Sequence, residues 1–454
     1  MLSKTSFRSP RCRRWRSCAT GGGGPVPEVV AHAEVRLWGE TVGAVAELEG
    51  GRIVFEYADA FVGRGWDISP IHLPIGRAGP VSFDELLRRP AFRGLPGVLA
   101  DALPDAFGNK VIRAYFAARG EAERAMSPVQ RLLYVGERAL GALTFHPAED
   151  LPIRPAEQES LDVAALVRDA RSIVQGSPDV AIPEIYRIGS SAGGVRPKAV
   201  VLHDPVTGSI RSGNAPPGPD DVPCLLKFDG VGAGSTIDDL GEPMPFNRVE
   251  AAYAEMARAA GVDTTDLSVL WQGEYAHLLV RRFDIDAGKR LHQHTFGGLV
   301  HVDFNDPGAS SYEEYLRTIL RLGMAYSQVE QAYRRMVFNV LAVNQDDHVK
   351  NLSFQMRSDG VWDLAPAYDL TFAKGRDWTA QHQMRVQDKT AGITEDDLLA
   401  VAAVFDIKKP GRIIERARDA VADWESFAAE TRVPARTVVD VRAALDERSA
   451  SLGG

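Results

Sequence analysis

The chain has 454 residues, 45% of them apolar and 25% charged, a make-up ordinary for a globular protein of two or three domains. A formal net charge of −9 at pH 7 argues against a general nucleic-acid-binding surface. No window approaches about 18 uninterrupted apolar residues, so no membrane span is expected. Cys12 and Cys18 lie near the start and Cys224 stands alone, which is no disulfide framework and fits a reducing cytoplasm.

Residues 1–29 are basic. "SFRSPRCRRWRSCATGGGGPVP" has no acid, no apolar core and no secretory signal, and reads as a disordered extension or a misassigned start rather than a nucleic-acid-binding arm. Its cysteine spacing does not resemble half of a zinc site. From 33 to 57, "AEVRLW", "GAVAEL" and "RIVFEY" predict strands, with "EGG" as a turn. "GVLADALPDAFGNKVIRAYFAARG" predicts an apolar segment, a turn at Pro104–Asp105 and a helix ending near Gly120, so 30–148 reads as one small α+β domain. "HPAEDLPIRPAEQES" has the composition of a linker, and a helix is expected over 160–176. Strand, small-residue loop, strand, long loop and strand follow up to Gly230.

"FNRVEAAYAEMARAAG", 246–261, predicts a helix with a glycine stop, its apolar face formed by Val249, Tyr253, Met256 and Ala260. "AHLLVRRFD" is a strand. From 312 onward the pattern is mostly helical, and Val329, Tyr333, Met336, Val340 and Leu341 form a stripe that runs into "NQDDHVKNLSF". "NLSFQM", the turn "RSDG" and "VWDLAPAYDL" then predict a hairpin ending on Asp369. No internal repeat is present.

Adjacent carboxylates are unfavourable unless something positive sits among them. Asp346 and Asp347 therefore pose the choice between a solvated turn and a site. Phosphoryl transfer needs a backbone loop over phosphates, a cation, Mg²⁺ on oxygen ligands and a carboxylate near the attacking hydroxyl. Each part has a candidate. Asp346 and Asn351 have the Asp-x-x-x-x-Asn step of a kinase catalytic loop. Asp346 is the candidate base, and Asn351 with Asp369, brought together by the hairpin, are candidate metal ligands. Asp347 reads as the merely solvated carboxylate. His348 alone reads as a structural hydrogen-bonding residue, but its place in the loop puts it, with Lys350, among candidate nucleotide contacts. "GSSAGGVRPK", 189–198, is the candidate phosphate loop, through Ser191, Ala192, Gly193, Gly194 and Lys198; a tight hairpin is the plainer reading, and the Walker spacing is absent. Lys227, closing an apolar strand, is the candidate nucleotide lysine. Glu250 is the preferred counter-ion over Glu255. "LLVRRFD", with Arg281 and Phe283, is the candidate hinge, reading adenine through its backbone.

Together these stretches resemble the HipA serine/threonine kinases, toxins of bacterial toxin–antitoxin pairs. "VRLWGETVGAVAE" and "LADALPDAFGNKVIR" resemble the family's N-terminal subdomain. "SSAGGVRPKA", "LLVRRFD", "NQDDHVKN" and "APAYDL" resemble its kinase core, and the likeness runs from about 33 to 445. The resemblance implies an α+β, bilobal, protein-kinase-like fold behind a small β-rich N-terminal subdomain. An N-lobe over 149–300 and a helical C-lobe over 301–448 would follow. It implies Asp346 as catalytic base, Asn351 and Asp369 as Mg²⁺ ligands, Lys227 as the ATP lysine, and Ser191 (or Ser190) as an autophosphorylation site. It also implies a protein substrate, with aminoacyl-tRNA synthetases among the family's targets. A HipB-like DNA-binding antitoxin would be the partner, with no direct nucleic-acid or membrane binding by the kinase itself. Two departures stand out: Arg281 where the family usually has an acid, and "LHQHTFGG" in place of an "HQED"-like form. Two rivals remain: a lipid or small-molecule kinase, since "DDHVKN" also fits Asp-x-His-x-x-Asn, and a catalytically dead partner of a repressor.

Overall fold

The computed structural model describes residues 29–77, 79–118, 126–148, 160–175, 196–231 and 244–452. The basic extension, the strand expected before Gly189 and positions 189–195 of the phosphate loop lie outside these residues.

Four strands, β1 (Val29–Leu37), β2 (Glu40–Leu48), β3 (Ile53–Tyr57) and β4 (Leu143–His146), form an antiparallel sheet in the order β3-β2-β1-β4. The β1–β2 turn places both Trp38 (φ 50°) and Gly39 (φ 84°) in the left-handed region, the backbone that a two-residue hairpin demands. The Trp38 indole donates to Arg290 O at 2.6 Å and meets Trp66 edge-on, which holds the strained residue in place.

A second sheet follows, β6-β5-β7-β9-β8, formed by β5 (Lys198–His203), β6 (Ile210–Ser212), β7 (Val222–Lys227), β8 (Leu267–Gln272) and β9 (Tyr275–Arg281), all antiparallel. Side chains alternate across it. Ala199, Val201, Cys224, Leu226 and Leu279 face the helices Ala106–Ala118 and Val163–Val174. Leu225, Leu278 and Val280 face the opposite way and join Ala251 of the helix Phe246–Ala259. Beyond this sheet the chain is mainly helical, and the predicted stripe Val329–Leu341 is fully buried on the helix Tyr326–Leu341. Strands His292–Thr295, Ser353–Met356 and Trp362–Leu364 form a small sheet whose last two members are the predicted hairpin. The arrangement is the kinase-like α+β fold that the resemblance implies.

The stretch 30–148 packs in two directions. Phe55, Phe61, Leu99 and Phe145 share a core with Phe296, Tyr315 and Met336 of the helical part. Phe107, Val111 and Tyr115 of the 106–118 helix pack instead on the five-stranded sheet. A polar relay secures the first contact. Ser69 Oγ lies 3.1 Å from His294 Nε2, and His294 Nδ1 lies 2.7 Å from Asp101 Oδ2, which also accepts the Thr295 N–H at 2.8 Å. The order is that of a hydrolase triad, but Ser69 and His294 are wholly buried, so the relay serves as a fastener. Gly97 sits against Gly298 so closely that a Cβ would lie 1.8 Å from Gly298 O, which leaves room for glycine alone.

Two buried histidines fix an acid limit. His277 Nδ1 accepts the Asp229 N–H at 2.9 Å, so that nitrogen carries no proton. Burial pushes His277 and His292 down to about 4 from 6.5. The unfolded chain then takes up protons that the folded chain refuses. Stability should be full above about pH 6.5 and decline as pH falls toward about 4, by on the order of 1–3 kcal/mol for each histidine. Urea unfolding midpoints between pH 7.5 and 4.5 should show this decline, and His277→Gln should make the slope shallower.

Candidate active site

Strand alternation builds the cleft. Lys198 on β5 pairs directly with Lys227 on β7, so both side chains leave the same face of the sheet. A cleft is lined by both lysines together with Leu225, Phe283, Tyr368 and Asp369. Arg281 also lines it but is exposed and paired to Asp266 at 3.1 Å. Its neighbour Arg282 pairs with the buried Asp284 at 2.6 Å, which ties the 281–284 segment to the N-terminal region through the Gly141 N–H at 2.7 Å.

Lys227 is the centre of the cleft's electrostatics. Its ammonium lies 2.5 Å from Glu250 Oε1 and also contacts Asp369. Glu250 is the buried choice; Glu255 sits near the surface with Arg258. Burial opposes charge on all three groups. For Lys227 the two carboxylates outweigh burial and raise its affinity for its proton. For Asp369 burial is likewise overcome, by Lys227 and then Lys198, so its carboxyl is held well below the usual range. For Glu250 burial prevails, helped by the nearby Asp369, and its carboxyl titrates above the usual value. Asp369 itself takes a left-handed backbone, φ 56°. The residue before it locks the hairpin ends: Tyr368 OH donates to Lys350 O at 2.7 Å and lies 2.6 Å from Ser353 Oγ, while its ring stacks on Phe283. Lys198 reaches Asp105 of the N-terminal stretch at 3.4 Å, both side chains buried.

The segment 346–351, the candidate catalytic segment, forms a tight loop after the 326–341 helix. Asn351 Nδ2 donates to Asp346 O at 3.0 Å and closes it. The Asp346 carboxylate is 37% exposed, accepts the Trp378 indole N–H on Oδ1 at 2.9 Å and lies 4.0 Å from His348 Nε2. Burial raises its affinity for a proton, with His348 opposing; burial likewise lowers that of His348. Lys350 places its ammonium over the Phe304 ring, 5.1 Å from the centroid, and Phe304 also meets His348. Asp346, His348, Lys350 and Asn351 lie outside the cavity lining formed by Lys198, Lys227, Phe283 and Asp369.

Asp347 corrects an expectation. It is not solvated: only 3% of the residue is exposed, and its carboxylate accepts Tyr312 OH at 2.8 Å, Gln383 N at 2.7 Å and His382 Nδ1 at 2.9 Å. Its three donors lie 35 or 36 positions away in the chain, so the local polar run carried no signal of them. Trp378, Asp101 and Asp105 were missed for the same reason. Ser190, Ser191, Ala192, Gly193 and Gly194 lie outside the described residues. Arg196, at the end of that loop, stacks on Phe246 at 4.1 Å.

Among the described residues no group of three or more His, Cys, Asp or Glu gathers to hold a metal ion. The available oxygens suit a hard cation that keeps water and phosphate ligands: the Asp369 carboxylate, and the Asn351 amide oxygen, whose nitrogen is engaged by Asp346 O.

The two adjacent carboxylates should separate in stability measurements. Asp347→Ala strands three buried donors and should cost about 3 kcal/mol or more. Asp346→Ala, at a half-exposed position, should change the unfolding midpoint little. Urea titration of the two variants checks this.

The HipA-like C-terminal domain matches residues 190–430, and the HipA N-terminal domain matches residues 33–146. A Sinorhizobium fredii protein provisionally named kinase Y4dM is 25% identical over 419 residues, covering 87% of this chain and 91% of its own. HipA of Shewanella oneidensis MR-1, solved in a toxin–antitoxin complex with HipB and operator DNA, superposes with a TM-score of 0.64 at 16% identity, over 92% of this chain and 96% of its own. The C-terminal match alone spans more than half of the 454 residues, and the chain belongs to the HipA family.

Proposed function

We propose that the chain is an ATP- and Mg²⁺-dependent serine/threonine protein kinase of the HipA toxin type. The observation that carries the reading is Lys227, buried between Glu250 and Asp369 on the wall of the cleft. A lysine oriented by a helix glutamate and facing a metal-binding aspartate is the arrangement that phosphoryl transfer requires. Glu250 fixes the ammonium so that it meets anionic oxygens in the cleft, and in this structure Asp369 occupies that place. The 280–284 segment and Phe283 form the wall on which a base would lie. The kinase designation of the Sinorhizobium relative supports the same reading.

Asp346 would accept the proton of a seryl or threonyl hydroxyl as its oxygen bonds to the γ-phosphorus and the bond to ADP breaks. Its raised proton affinity suits a base better than an ordinary aspartate would. Asn351 and Asp369 would hold Mg²⁺, which neutralises charge on the phosphates when bound. The intact Lys227–Glu250–Asp369 set argues against a dead module that only partners a repressor. The HipB complex of the Shewanella relative supports a HipB-like antitoxin as partner. Aminoacyl-tRNA synthetases are a reasonable first set of substrates to test, and Ser191 or Ser190 is the proposed self-phosphorylation site.

Labelled ATP, purified chain and a bacterial lysate test the activity. Labelled phosphoserine or phosphothreonine in a protein is the expected result, and label confined to lipid or small molecules would replace the reading. Asp369→Asn should remain folded and lose Mg²⁺-dependent turnover. Asp346→Asn should keep nucleotide binding and lose transfer by about two orders of magnitude or more. Unchanged turnover in both variants would sink the assignment.

A further inference from the structure

We infer that Trp378 is a positioning residue for Asp346, held in place by the neighbouring Asp347. The inference rests on the reading of Asp346 as the catalytic base.

The connection is a closed ring of hydrogen bonds. Asp347 Oδ1 accepts the main-chain N–H of Gln383 at 2.7 Å. Gln383 Nε2 donates to Trp378 O at 2.6 Å and to Gln381 O at 3.0 Å, which shapes the segment 378–383. The Trp378 indole then returns to Asp346 Oδ1 at 2.9 Å. Asp347 is itself fixed from the other side: Tyr312 OH donates to it and accepts from Asn339 Nδ2 at 2.8 Å, on the helix that leads into the loop. The ring therefore begins and ends on adjacent residues. One carboxylate is buried and immobile, the other half-exposed and available.

A half-exposed aspartate has free rotation to lose before it can accept a proton along one lone pair. The indole N–H removes that freedom at one oxygen and leaves Oδ2 for the hydroxyl. Indole nitrogen only donates, so Trp378 takes no part in moving the proton. Its effect is on geometry alone. The main-chain carbonyl of Asp346 is held separately by Asn351, so the N–H supplies restraint at the carboxylate that the loop closure does not. Trp378 is only partly buried and lies on the short turn Trp378–Ala380, next to the exposed Arg376 and Asp377, where a replacement disturbs little packing.

The test compares Trp378→Phe with Trp378→His. Phenylalanine keeps an aromatic ring without the N–H. The imidazole superposes on the five-membered half of indole and can present an N–H at nearly the same point. Turnover of labelled ATP is followed with casein as acceptor, counting transfer to casein, to the chain itself and to water, beside the KM for ATP and the urea midpoint. Trp378→Phe should lower kcat about tenfold or more, the scale of a misplaced catalytic group, with KM for ATP and the midpoint unchanged. Trp378→His should recover most of the loss. In an Asp346→Asn background Trp378→Phe should have no further effect. Turnover of Trp378→Phe equal to or above that of the parent would overturn the inference, the second case marking the indole as a block on the base. Equal losses in Phe and His variants would reduce Trp378 to packing. If Asp346→Asn turns over like the parent, or the parent transfers nothing, the base assignment has failed rather than its support by Trp378 alone.

Discussion

A buried ammonium between two carboxylates organises this protein. Removing Lys227 from water is costly, and Glu250 and Asp369 offset that cost by direct contact with its ammonium. Each partner comes from a different part of the fold: the lysine from the end of β7, the glutamate from the 246–259 helix, the aspartate from beyond the hairpin. The three elements must dock correctly for the charges to meet. The surplus negative charge of the triad is balanced further out by Lys198 and Arg196, both of which pull Asp369 toward its charged form. A nucleotide phosphate entering this field meets lysines already aimed into the cleft.

The same economy appears in the loop that carries Asp346 and Asp347. Two adjacent aspartates would repel in isolation, yet they point into different surroundings. Asp347 spends its charge on three donors inside the molecule, and Asp346 keeps most of its capacity for the outside. Burial separates their roles where sequence made them look alike.

Local chemistry was legible wherever it repeats with the period of a strand or a helix. The apolar run ending on Lys227 was legible as a strand and the 246–261 stretch as a helix carrying Glu250, while the shared face of Lys198 and Lys227 emerged only from the strand pairing. The hairpin signal was legible too, and its ends meet where Tyr368 OH reaches Lys350 O. What sequence could not carry is partnership across long separations. Asp347 looked like a turn residue because its donors lie in Tyr312, His382 and Gln383. His294 and Thr295 looked like a departure from an "HQED"-like form. They turn out to be bound by Asp101, almost two hundred residues away. Isolated polar residues with no periodicity reveal their partners only after the backbone is folded.

The divided packing of the N-terminal stretch has a mechanical consequence. Its sheet is welded into the helical part through Phe55, Leu99 and the Gly97–Gly298 approach, while its 106–118 helix grips the back of the five-stranded sheet through Phe107, Val111 and Tyr115. The stretch therefore spans the cleft from behind as a brace, and Asp105 extends that brace to Lys198 at the cleft itself. Swinging the lobes apart about residues 281–284 would shear apolar surface on one side or the other, at a cost of about 1.5–3 kcal/mol for every large side chain uncovered. A kinase without such a brace breathes by rotating its lobes. In this chain such a rotation would have to part the packed faces on both sides of the brace.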